Sequence, residues 1–203
     1  GSVAISTGTL TSVTGTLDDG TGNDTIALTL ATTGVNISSA NTTDVDSIAF
    51  ASGVSATMTI AQHALITSAA GTNTVTLSNP GTVTGNAAVE SYVLAAGSQS
   101  FTLGASGQNV TLDSTGSSGS VAISTGTLTS VTGTLDVGTG NDTIALTLAT
   151  TGVDISSANT TTEAVTLSDT TLAAATLNTL NDNTTGAVNA NTLTTVSYTH
   201  LRA

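Results

Sequence analysis

Gly20-Thr21-Gly22-Asn23-Asp24-Thr25-Ile26-Ala27-Leu28 returns unchanged as Gly138–Leu146. Each copy is a glycine-bent polar turn followed by an alternating run. Ile26 and Leu28 stand two apart, as do Ile144 and Leu146. Side chains of a strand alternate between its two faces, so each pair faces one side. Related turn-plus-strand stretches are Gly71–Ser78 (GTNTVTLS), and also GSVAIS, ATMTI, QSFTLG and QNVTLD, each closed by Gly, Ser or Asn. Short strands punctuated by turns mark an all-β chain.

The repeat extends outward from this stretch. Residues 1–43 match residues 119–161 at an offset of 118, and the copies differ only at Asp19/Val137 and Asn36/Asp154. Further on, VDSIAF (Val45–Phe50), VESYVL (Val89–Leu94) and TEAVTL (Thr162–Leu167) each set an acid two and four residues before apolar side chains. The units are therefore read as 1–118, a first long repeat; 119–195, a second and truncated one; and 196–203, a tail. Ile60–Ala69 and Thr171–Leu180 carry the alanines of a helix, but their flanking threonines argue against one.

Composition narrows the function. The 203 residues include 13 acids and one Lys or Arg, for a net charge of −12, and no cysteine. Charged residues are 7%, against roughly 25% in globular domains. Aromatics are 2%, so the core must be built from Ala, Val, Leu and Ile. The negative charge disfavours nucleic acid and anionic lipid and attracts cations. No apolar run is long enough for membrane insertion. The start at Gly1 reads as that of an internal fragment of a longer parent.

Catalytic sets are scarce. Without Lys or Cys, His63 is the one histidine outside the tail, and no matching histidine is found in the second copy. It is read as a solvated or helix-borne residue, and Tyr92 and Phe50 as core or edge residues of strands. Asp44 and Asp46 are a carboxylate pair without sugar-stacking aromatics. The expectation is no enzyme.

Asp19–Ala27 and Val137–Ala145 resemble the nonapeptide of the RTX family, Gly-Gly-x-Gly-x-Asp-x-apolar-x. That resemblance implies Asp24 and Asp142 as carboxylate ligands of Ca²⁺, and Gly20, Gly22, Gly138 and Gly140 as turn residues. It also implies Ile26 and Ile144 as core. Asp18, Asp19 and Asp136 lie beside the motifs, and a coil of about 20 residues would bring Asp44 or Asp46 beside Asp24. The first glycine is replaced by Asp19 and by Val137, and each motif stands alone, so a tight Asn-Asp turn without an ion is an equal reading. The Thr-x-Thr pairs 57/59, 74/76 and 82/84, with the GTGND form, also resemble the ice-binding region of some RTX adhesins.

The whole pattern resembles repetitive stalk regions of bacterial surface and secreted proteins. It implies a parallel β-solenoid in an extracellular or cell-surface setting, with neighbouring repeats, calcium and a host-cell or surface ligand as partners. The alternatives are tandem antiparallel Ig-like sandwiches for the fold and a carbohydrate-acting β-helix enzyme for the function. Val196–Ala203 (VSYTHLRA) resembles a translated sequencing adapter, and is expected to stay outside the strand ladder.

Overall fold

The computed structural model describes residues 1–18, 25–95, 99–112, 120–136, 143–148, 164–167, 171–183, 187–191 and 193–197. In chain order the first elements are β1 (Ser2–Ser6), β2 (Thr25–Leu30), β3 (Val35–Asn36), β4 (Val45–Phe50), β5 (Ser55–Met58), α1 (Ile60–His63), β6 (Ile66–Ala69), β7 (Thr74–Leu77), β8 (Thr82–Thr84) and β9 (Ser91–Leu94). There follow β10 (Gln99–Thr102), β11 (Asn109–Leu112), β12 (Ser120–Ser124), β13 (Leu135–Asp136), β14 (Thr143–Thr147) and β15 (Ala164–Leu167). The last are β16 (Thr171–Ala173), α2 (Ala174–Asn183), β17 (Val188–Asn189) and β18 (Thr195–Ser197).

The pairings recorded among these strands are parallel. Parallel neighbours need a crossover between them, and among the described residues these crossovers are turns of a β-solenoid. The antiparallel sandwich alternative is therefore excluded. Coil length varies: Thr74 faces Ser91, 17 positions on, whereas Val110 faces Leu135, 25 positions on.

Two compact units are present, Gly1–Pro80 with Asn86–Ala95, and Gly81–Gly85 with Ala96–Ala203. Compactness thus divides the chain near residue 95, whereas the sequence repeat divides it at 118/119.

In the first unit β1, β2, β4 and β6 lie side by side, as do β3, β5, β7 and β9. Their inward positions form continuous rows. Val35, Ala56, Val75 and Tyr92 are register neighbours and are all buried. In the second unit β8, β10, β12, β14, β15 and β17 form one ladder, β11 pairs with β13, and β16 with β18. Its inward row runs Val83, Phe101, Ile123, Leu146, Leu167, again buried. Small and branched side chains suffice because a solenoid interior is only one coil wide, and each layer is sealed by the next.

The acid-plus-apolar reading holds at all six apolar positions. Ile48 and Phe50, Tyr92 and Leu94, and Val165 and Leu167 are each at most 4% exposed. Ile26 and Ile144 are buried as well.

Two expectations are corrected. Both alanine-bearing stretches contain a helix. In the first, the threonine counted against the helix is its N-cap. Thr59 Oγ1 accepts the Gln62 N–H at 3.2 Å, and Gln62 Oε1 accepts the Thr59 N–H at 2.8 Å, which forms a capping box. Threonine is unfavourable inside a helix and favourable just before one. The helix lasts one turn, and Ile66–Ala69 continues as strand β6. In the second stretch Thr171–Ala173 is strand, and α2 runs to Asn183.

The second correction concerns the tail. Val196 and Ser197 belong to β18 and pair with Leu172 and Ala173, so the start of the tail does extend a ladder. An alternating Thr-Val-Ser backbone is competent to pair with any open strand edge, whatever its origin. Residues 198–203 lie outside the described residues.

Candidate functional site

The acids that precede strands act first on the coil itself. Ile26 faces Val45, but Ala27 faces Ser47, so Asp46 is the extra residue of a bulge. Its Oδ2 accepts the Ile26 N–H at 2.8 Å, replacing the ladder acceptor that the bulge displaces. Glu90 also holds an amide of the preceding coil, here just before β9 in continuous register. Its Oε2 accepts the Asn73 N–H at 2.7 Å, and Asn73 Oδ1 accepts the Val54 N–H at 3.0 Å. Asn73 Nδ2 donates to the Ala70 and Gly71 carbonyls. Asn79 Oδ1 likewise accepts the Ile60 N–H from the coil before it. These side-chain oxygens, each one coil along, satisfy backbone amides of the coil before.

Of the two acids expected near Asp24, Asp46 is the one that reaches β2. Asp44 is exposed, in the turn before β4. Asp18 is exposed at the end of the first coil. Asp136 ends β13 opposite Thr111. Asp19, Gly20, Gly22, Asp24, Gly138, Gly140 and Asp142 lie outside the described residues, and with them both GTGND turns. Among the described residues no three His, Cys, Asp or Glu side chains converge. Calcium takes six to eight oxygens; Asp18 and Asp44, as single exposed carboxylates, do not make such a site by themselves.

An open depression of about 340 Å³ lies in the first unit, where Ser38, Asn41, Thr42, Thr43, Thr59 and Gln62 line it. Its polar groups are largely engaged. Asn41 Oδ1 accepts from Thr43 N–H and Oγ1, and Gln62 Nε2 donates to the Ile37 and Ala40 carbonyls. The lining residues carry no charge.

His63 ends α1, and it is helix-borne as read but 7% exposed rather than solvated. Its Nε2 lies 3.0 Å from the Tyr92 hydroxyl, with the rings edge to face at 5.5 Å. The same hydroxyl accepts the Asn86 N–H at 2.7 Å, and Asn86 Nδ2 donates to the Ile66 carbonyl. Burial lowers the His63 pKa below its usual 6.5. Burial raises that of Tyr92, which the Asn86 N–H opposes and Glu90 reinforces. Both rings are thereby held neutral. Sequence reading missed this contact because nothing local links positions 29 residues apart.

No helix among the described residues is long and apolar enough to cross a membrane. No family model, curated protein or solved structure matches this chain.

Proposed function

We propose that the chain is a non-catalytic structural or adhesive repeat region of a large bacterial secreted or cell-surface protein, with Ca²⁺ bound at the GTGND turns as a stabilising ion. The observation that carries this reading is where the rare chemistry-bearing side chains go. Asp46 and Glu90 hold backbone amides, and His63 is packed against Tyr92. Acids used in this way tie coil to coil, which is what an extended spacer requires. The calcium part rests on the RTX resemblance of Asp24 and Asp142.

The test has two arms. Incubation with a panel of polysaccharides should release no new reducing ends; turnover that Asp44→Asn abolishes would establish the carbohydrate-enzyme alternative instead. Melting at fixed ionic strength should shift upward with millimolar Ca²⁺ in the wild type and less in Asp24→Ala. No shift at all would reduce the motif to a turn.

A second reading, ice or ordered-water binding, is favoured by one feature of the second unit. Thr84, Thr102, Ser124 and Thr147 occupy successive rungs of one ladder, about 4.8 Å apart. These positions alternate with the buried row and so share the opposite face of the strands. Thermal hysteresis in the wild type, lost in Thr102→Tyr, would support it; freezing at the equilibrium point would exclude it.

A further inference from the structure

The duplicated sequence contains its own control experiment. Val121, Ile123, Val131 and Leu135 in the second copy are each 1% exposed. Their counterparts in the first copy, 118 positions earlier, are Val3, Ile5, Val13 and Leu17. Val3 is 45% exposed, and the other three are only half-buried. Leu10 is 57% exposed, whereas its counterpart Leu128 is half-buried. Identical residues in an identical local sequence therefore differ in burial, and the cause is what lies against them.

In the second unit the cover is the coil carrying β10 and β11. Phe101 stands beside Ile123, and Val110 beside Leu135. The Ser106 carbonyl accepts the Thr132 and Gly133 N–H groups. Asn109 Oδ1 accepts the Thr134 N–H at 2.9 Å. The Leu103 and Val110 N–H groups donate to the Ser124 and Thr134 carbonyls. A Cβ built on Gly133 would overlap the Gln108 carbonyl oxygen, so the coils touch backbone to backbone there. In the first copy the matching amides are those of Thr14, Gly15 and Thr16, and among the described residues none of the three has a hydrogen-bond acceptor. A Cβ on Gly15 would meet open space.

We propose that the outer side of the first coil, from β1 through Thr16, is a docking surface for one further parallel β-coil of the Gln99–Leu112 type. The occupant is defined by chemistry. It places an aromatic or large aliphatic side chain against Ile5, as Phe101 does against Ile123. It presents a backbone carbonyl to the Thr14 and Gly15 amides, as Ser106 does, and an Asn side chain to Thr16, as Asn109 does. Gly15 is the contact that only glycine permits. This deepens the repeat-array reading by naming the joining surface, and it involves no calcium, so the two fail separately.

The test is a full chain with a second copy of residues 81–118 placed ahead of Gly1, which recreates the junction found at Ser118–Gly119. Amide exchange at Thr14, Gly15 and Thr16 should slow by about tenfold or more, to the rates of Thr132, Gly133 and Thr134. Gly15→Ala should leave the unextended chain unchanged yet abolish the slowing in the extended one. Unchanged exchange in the extended chain, or slowing that survives Gly15→Ala, would overturn the proposal. Slowing in the unextended chain that grows with its concentration would overturn it too, by making a second copy the occupant.

Discussion

The contact of His63 with Tyr92 sets a property of the whole chain. The histidine is neutral in the folded state because burial lowers its pKa below 6.5. An unfolded chain therefore takes up the proton first as pH falls. Stability is full above pH 6.5 and declines below it, until the folded-state pKa is reached. Melting temperatures measured from about pH 7.5 down to about pH 5 should fall in the wild type and fall less in His63→Gln. Tyr92→Phe should cost about 1–3 kcal/mol in urea unfolding at neutral pH, because the Asn86 N–H loses its buried acceptor. The glycine pair gives a second check at this scale. Gly133→Ala should destabilise by about 3 kcal/mol, since its Cβ overlaps the Gln108 backbone. Gly15→Ala should stay within about 0.5 kcal/mol. The two residues occupy the same place in the repeat, and no sequence pattern separates them.

At the scale of the element, strands are legible in the sequence, and helix ends are less so. The strand stretches reading GSVAIS, QSFTLG and QNVTLD appear as β1, β10 and β11, because alternation in a Thr/Val-rich run matches a pleated, half-buried surface. The first helix is hard to read because Thr59, a flanking threonine that argues against helix by propensity, is the residue that caps it. The acids were legible as strand openers, but their task was not. Position in sequence cannot say that Asp46 sits in a bulge and turns to Ile26 while Asp44 faces solvent. Asp46→Ala should therefore cost about 1–3 kcal/mol in chemical unfolding, by stranding the Ile26 N–H. Asp46→Asn, which keeps an acceptor oxygen, should recover most of that. Asp44→Ala should change stability by less than about 0.5 kcal/mol without calcium. Equal losses at Asp44 and Asp46 would contradict the assignment.

Across the whole molecule, stability comes from stacking coil on coil under a net charge of −12. Residues 1–118 alone should be less stable per residue than a chain with two complete units, because a solenoid with fewer coils has proportionally more exposed end. Denaturant unfolding of the two lengths measures this, and equal stability per unit would speak for independent domains. Sodium chloride should raise the melting temperature modestly by screening the like charges. Millimolar Ca²⁺ should raise it further at matched ionic strength, by about RT ln(1 + [L]/Kd) per site. With sites at both GTGND turns, Asp24→Ala should reduce the calcium increment more than Asp142→Ala, since the first copy carries the additional Asp19.

What the sequence by itself determined is the class of structure. Alternation sends Ile26, Leu28 and Ile144 inward, and the scarcity of aromatics requires a thin core, which suits a stack of parallel coils. These follow from local pattern, since side-chain direction in a strand depends only on position along it. What only the tertiary structure decided is which copy of a shared residue is covered. Val3 and Val121 lie in identical five-residue strands, yet one is 45% exposed and the other 1%. Burial belongs to the neighbour across the ladder, and that neighbour lies a whole coil away in the chain. The same reason hid the meeting of His63 with Tyr92 and the reach of Asp46 to Ile26: each contact closes across a turn of the solenoid, at a distance that varying coil lengths leave open.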